Sequence, residues 1–331
     1  MINFIQTNQP LFTLGSLLLL VIIVLWILQY GIIRYGRKTL TQAMQYWRRL
    51  QQYFGLDKRI AQFKTSYPKS YYFLSQRLHV EHFYGLPLTL LVLVMGYILV
   101  LFIGLVEDVV TSDSIVAMDH FVSQQMSLLS ESPVVNFFIL ITSLASTPLT
   151  LLIVFLTGVI CYVIRQRYLL IGLLIAVIGS TVFTYLSKLL FHRERPVDIL
   201  LLERTYSFPS GHATVTIALY GFIAYMAIRF SQDFSRQVRI LVISVFFCIL
   251  VGLSRIVLNE HYMSDVLGGY LIGALWLTVA ISMTEWLRTR NKVNWHIDWS
   301  TSQVRLVWLS VVCAMIGVLI YANVYQFPLL L

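Results

Sequence analysis

Three short stretches in the second half of the chain bring together residue types with a common use: gripping an anion and moving a proton. In the first, Lys188 is followed seven residues later by Arg195 and then Pro196, with His192, Arg193 and Glu194 in between. In the second, Tyr206-Ser207-Phe208-Pro209-Ser210-Gly211-His212 leads from a polar loop into a long apolar run that starts at Ala213. In the third, Ser254-Arg255 is followed by His261 and, four residues on, by Asp265.

Each stretch has its own chemistry. Seven residues are about two helical turns, so Lys188 and Arg195 are expected to project along one helix face, with Pro196 stopping the helix. Two cations aimed the same way repel unless an anion joins them, and Arg grips a phosphate with two hydrogen bonds while Lys acts as a point charge. Snorkelling at a membrane boundary explains a lone Lys or Arg and explains this cluster poorly. Ser210 is placed to cap the helix that follows, the backbone N–H groups around Gly211 offer an anion site, and His212 can protonate whatever is held there. On a helix His261 and Asp265 lie one above the other, so the carboxylate can fix the imidazole tautomer and leave the other nitrogen basic. A glycine-containing cap with an incidental histidine, or a buried His–Asp contact with only a structural part, would account for either piece alone. Taken together, Lys188, Arg195, Ser210, Gly211 and Arg255 supply charge and donors for a phosphate, His261 with Asp265 an oriented nucleophile, and His212 an acid.

The elements that must position these residues are membrane spans. Of 331 residues 58% are hydrophobic and 12% charged, with a mean hydropathy of +0.77. A soluble domain is about 25% charged, so the composition excludes a soluble globular enzyme. Apolar runs of roughly 20 residues give about eight helices, near 11 to 33, 86 to 106, 135 to 163, 169 to 190, 213 to 230, 239 to 258, 264 to 286 and 306 to 326. The fold class read from this is all-α: a polytopic membrane protein with a six-helix catalytic bundle.

The net charge of +9 would suit nucleic acid, but its distribution argues against such a partner. All but five of the 24 Lys and Arg residues fall in 34–77, 165–167, 229–239 and 288–305, which are alternate connections between spans. The positive-inside rule places these in the cytoplasm and both termini outside. The five exceptions, Lys188, Arg193, Arg195, Arg204 and Arg255, gather on the outer side around the three stretches.

The remaining segments carry less chemistry. Residues 1–85 read as an anchor helix plus a basic, aromatic-rich cytoplasmic segment with the composition of helices lying in the headgroup layer, 86–290 as the catalytic core, and 291–331 as an extra transmembrane helix. The first run lacks the pattern of a cleaved signal and reads as a retained anchor. Cys161, Cys248 and Cys313 lie inside spans without ligand spacing and read as packed thiols. His79 and His82 flank Glu81 but lack a third ligand, and Asp108, Asp113, Asp119, His120 and Glu131 read as a solvated outer loop. Pro148 is expected to kink the third span.

Lys188-x6-Arg195-Pro196, Pro209-Ser210-Gly211-His212 and Ser254-Arg255-x5-His261-x3-Asp265 together resemble the signature of the type 2 phosphatidic acid phosphatase family, lipid phosphatases related to vanadium haloperoxidases. The resemblance covers about 86 to 286. It implies phosphate ester or diphosphate hydrolysis through a phosphohistidine, without a metal or other cofactor. His261 resembles the nucleophile, Asp265 its orienting partner and His212 the acid; Lys188, Arg195, Ser210, Gly211 and Arg255 resemble the phosphate cradle. The expected substrate is a phospholipid or polyprenyl (di)phosphate, bound at a site facing the periplasm or exterior of a bacterial inner membrane. An outward-facing site suits recycling of a wall carrier lipid, which puts undecaprenyl diphosphate first. Phosphatidylglycerophosphate, phosphatidic acid, lipid A phosphates and phosphoryl transfer to a lipid acceptor are alternatives. An anion or lipid transporter is the reading from another class, but transporter sites gather near the midplane rather than at one interface.

Overall fold

The computed structural model describes residues 9–79, 82–201 and 205–324, and every regular element among them is a helix. Glu81 and Arg204 lie outside the described residues. Seven helices are long and apolar enough to cross a membrane, or eight when one bent pair counts as a single span, so the protein is an all-α, polytopic integral membrane protein.

The first helix, α1 (Gln9–Tyr53), does not end with its apolar run but continues to a total length of 45 residues. Leu19, Leu20 and Trp26 on it are exposed, as a lipid-facing surface requires. Leu14 is buried against a cluster with Val257 and Leu258, and Arg37 covers the Phe234 ring. Gly55 turns the chain with a positive φ of 58°, a conformation that favours glycine. Two short helices follow, α2 (Leu56–Ser66) and α3 (Pro68–Arg77).

The bundle begins with α4 (Leu86–Thr111). The stretch read above as a solvated outer loop contains a helix, α5 (Asp113–Ser127). The third span is broken, not kinked: α6 (Val134–Ser143) and α7 (Thr147–Val163) meet at 46°. Pro148 sits in the first turn of α7, where a missing N–H costs nothing. The break lies at 144–146 just before it, and the Leu144 carbonyl freed there accepts from the Tyr220 hydroxyl at 2.6 Å.

Four long helices complete the core: α8 (Leu169–Phe191), α9 (Gly211–Phe230), α10 (Phe234–Val257) and α11 (Met263–Thr289). One π turn interrupts α8 at Ile175–Gly179 and another interrupts α9 at Thr216–Tyr220. Leu169, Leu173, Leu219, Phe222 and Ala280 form the apolar centre where α8, α9 and α11 meet. The last helix, α12 (Thr301–Val324), packs on α6 and α7. This antiparallel order puts the end of α8, the start of α9, the end of α10 and the start of α11 at one end of the bundle.

Candidate active site

Three chain reversals at that end build the site. The end of α8 does not carry Arg195 along its face. His192 caps the helix in the left-handed region, φ 47° and ψ 30°, with its N–H bonded to the Lys188 carbonyl. The chain beyond it is irregular, so Lys188 and Arg195 converge through a turn rather than by helical periodicity. Lys188 Nζ donates to the carbonyl of Tyr206, with that of Ser207 at 3.5 Å. Arg195 donates from Nε to the Thr205 carbonyl at 2.7 Å and from Nη1 to the Glu260 carbonyl at 2.7 Å. The first and second stretches are therefore tied together before any ligand is considered.

The second stretch rests on α11. Ser210 N–H donates to the Asp265 carbonyl at 2.9 Å. A Cβ on Gly269 would meet the Ser210 carbonyl at 2.5 Å, and one on Gly268 the Phe208 ring at 2.8 Å. Glycines at these two places let the backbones approach so closely. Ser210 takes the N-cap position of α9 as expected, but its hydroxyl makes no capping bond. That oxygen is buried without a hydrogen-bond partner, which carries a desolvation cost.

The third stretch places the histidine. His261 lies just before α11, whose N-cap is Tyr262, so it and Asp265 do not stack on a shared helix. Their facing atoms, Nδ1 and Oδ2, are 3.5 Å apart, too far for a good hydrogen bond. The Ser207 hydroxyl bridges them: its Oγ donates to Asp265 Oδ2 and lies 3.3 Å from His261 Nδ1. A serine has one proton to give, and here Asp265 takes it, so the matching role for Nδ1 is donor. The imidazole then carries its proton on Nδ1, and the lone pair of Nε2 faces Arg195 Nη1 at 3.4 Å.

Behind Arg195 and Arg193 stand carboxylates. Glu260, wholly buried, accepts the Leu201 N–H at 2.6 Å. Its Oε2 lies 3.5 Å from Arg195 Nη1 and 3.7 Å from Arg255 Nη2. Arg255 is 1% exposed and also donates to the Thr142 hydroxyl at 2.8 Å. Asp119, read from the sequence as solvated, is 1% exposed. Arg193 joins it to Asp265, at 2.8 Å from Nη2 and 2.5 Å from Nη1. Burial works against the charge of Arg193, and the Asp265 and Asp119 carboxylates more than offset it, holding the guanidinium above its ordinary pKa.

A cavity of about 520 Å³ opens onto these groups. Lys188, Arg195, Gly211, His212 and His261 form its polar end, while Leu151, Ile178, Val182 and Tyr185 line an apolar run between α7 and α8. Ser210, Arg255 and Asp265 do not line the cavity and sit behind that wall. The structure thus brings all eight sequence-read residues to one end of the bundle, five at the surface of the cavity and three supporting them. The sequence reading missed Ser207, Glu260 and Ser264 as partners; Glu260 and Ser264 each border a motif residue, and Ser207 lies two before Pro209. It also missed Asp119, for which no local signal existed.

The PAP2 superfamily pattern matches residues 167–289, the segment from α8 through α11. Phosphatidylglycerophosphatase B of Bacillus subtilis is 28% identical over 182 residues, covering 54% of this chain and 88% of that protein. The crystal structure of a transmembrane PAP2-type phosphatidylglycerolphosphate phosphatase from Bacillus subtilis superposes with a TM-score of 0.53 at 25% identity, over 58% of this chain and 96% of that one. On these matches the segment from α8 through α11 belongs to the PAP2 superfamily, and the helical membrane protein built around it is similar to type 2 phosphatidic acid phosphatases.

Proposed function

We propose that the protein hydrolyses the phosphate ester of a membrane lipid through a phosphohistidine on His261. The observation that carries this reading is the orientation of that ring: Nδ1 is committed to Ser207 and Asp265, while Nε2 meets Arg195 at the polar end of an apolar cavity. A phosphate lodged there takes up the donors of Arg195, Lys188 and the start of α9, which stabilise charge on its equatorial oxygens. Nε2 attacks phosphorus, the bond to the lipid oxygen breaks, and His212 gives that oxygen its proton. A water then attacks the phosphohistidine, His212 takes the water proton back, and inorganic phosphate leaves with Nε2 restored. The lipid chain lies along Ile178, Val182 and Tyr185, a stretch that reaches about 15 Å down α8 from Lys188 at 1.5 Å per residue.

None of these steps calls for a metal. The two relatives whose names specify phosphatidylglycerophosphate move that lipid ahead of undecaprenyl diphosphate as the substrate. The outward placement read from the basic segments favours the polyprenyl lipid as the second choice. The test is phosphate release by detergent-purified protein in EDTA, over phosphatidylglycerophosphate, undecaprenyl diphosphate, phosphatidic acid and lipid A. Release that disappears in His261→Ala is the expected result. Release that survives this substitution overturns the nucleophile, and a strict magnesium requirement overturns the metal-free route.

A further inference from the structure

We propose that Asp119 is a positioning residue for the catalytic histidine, acting through Arg193 on Asp265; the inference rests on the reading of His261 given above. Asp119 comes from α5, Arg193 from the turn after α8 and Asp265 from the first turn of α11, so three elements meet in one buried ion trio. Arg193 spends Nη2 on Asp119 at 2.8 Å and Nη1 on Asp265 Oδ1 at 2.5 Å, while its guanidinium covers the Tyr262 ring 4.6 Å from the centroid. Asp119 Oδ1 also accepts the Ser264 N–H at 3.1 Å, and Oδ2 the Ser264 hydroxyl.

This does two things to Asp265. Its Oδ1 is pinned, which leaves Oδ2 directed at Ser207 and at the Tyr262 N–H, 2.9 Å away. Its charge is also only partly offset, because one guanidinium serves two carboxylates. With Arg193 to itself, Asp265 would be neutralised and its pull on the Nδ1 proton of His261 weakened. Asp119 is 1% exposed, and the three groups that bond it, Arg193 Nη2, the Ser264 hydroxyl and the Ser264 N–H, are all donors. A charged carboxylate with two accepting oxygens is what the site uses; asparagine removes the charge and one acceptor, and glutamate keeps both.

The other charged and titratable groups around the ring are Arg195 and Lys188 from beyond and within α8, His212 from α9 and Glu260 from its own turn. Arg255 of α10 offers its backbone carbonyl to the His261 N–H, at 3.2 Å. None of these is altered by Asp119→Asn, so a change in the behaviour of His261 reports the trio.

The experiment is steady-state hydrolysis of phosphatidylglycerophosphate by wild type, His261→Ala, Asp119→Asn, Asp119→Glu and Arg193→Gln. Asp119→Asn is expected to lower kcat by about tenfold or more with KM held within about twofold. The acid limb of kcat/KM moves to lower pH, because loss of a nearby negative charge makes the imidazolium less stable. Asp119→Glu restores part of kcat, and Arg193→Gln moves the limb the other way. An unmoved acid limb, or a loss confined to KM, overturns the proposal while wild-type activity lost in His261→Ala keeps the parent reading intact. Failure of both Asp119→Asn and Arg193→Gln to fold makes the trio a structural clamp and overturns the proposal too. No release by wild type removes the parent reading and this inference together.

Discussion

The backbone N–H of Ser210 donates to the carbonyl of Asp265 at 2.9 Å, which fastens the start of α9, where His212 lies, to the start of α11. His212 and His261, the proposed acid and nucleophile, thus share a backbone tether. The close approach of α9 and α11 at this tether makes the glycines beneath it critical.

Gly269→Ala puts a Cβ 2.5 Å from the Ser210 carbonyl and 3.0 Å from the Ala213 Cβ, and backbone cannot swing aside as a side chain can. We expect a loss of about 1–3 kcal/mol and a larger loss of activity. Gly211→Ala, whose Cβ would meet only Thr184 Cγ2 at 3.9 Å, should leave the melting temperature close to wild type. Thermal unfolding of both variants in detergent checks the contrast, and equal melting temperatures would refute it.

Ser207→Ala removes the hydroxyl between His261 and Asp265. One hydrogen bond of about 1 kcal/mol corresponds to a fall in kcat on the order of fivefold to tenfold, with KM little changed, because the ring loses its orientation and not its contact with the lipid. Kinetics with a single lipid substrate measures this. A rise in KM at constant kcat would assign Ser207 to binding.

His212→Ala should damage hydrolysis of lipid phosphates, which have poor leaving groups, far more than that of an activated aryl phosphate. General acid catalysis contributes about 100-fold to 10,000-fold where the leaving oxygen needs a proton, and little where it does not. Measuring kcat/KM on both substrate types decides the point, with equal losses excluding the acid role.

Glu260→Gln keeps an oxygen for the Leu201 N–H but removes the negative charge that lies 3.5 Å from Arg195 and 3.7 Å from Arg255. Anions should then bind more tightly, and inhibition by inorganic phosphate is expected to strengthen by a factor of several. Product-inhibition constants for the two proteins give the answer, and an unchanged constant would mean that Glu260 only buttresses the turn.

What could be read from the sequence, and what could not, divides along physical lines. The spans were legible because hydropathy averages over some 20 residues, and the motifs because each keeps its residues within a dozen positions. The break at 144–146 was not legible, since an average does not see a single carbonyl that bonds Tyr220 in place of its own helix. Lys188 and Arg195 reach one cavity, but not by the periodicity that their spacing implied, because His192 ends the helix by turning left-handed. Asp119 could not have been found, because an aspartate in a polar stretch looks solvated until Arg193 and Ser264 arrive from far along the chain. The His–Asp pair was read as a direct contact because i,i+4 spacing implies one, whereas α11 starts two residues too late for that and Ser207 fills the gap.

On the proposed reading, the buried carboxylate of Glu260 tempers the charge that a phosphate meets. Arg195, which lines the cavity, is already partly balanced by Glu260 at 3.5 Å. A phosphate held by Arg195 would share that guanidinium with a fixed counterion, so less free charge is neutralised on binding. Affinity on this arrangement should fall only gently with ionic strength, unlike that of a surface arginine patch, whose long-range field is screened within about 10 Å at 0.1 M salt.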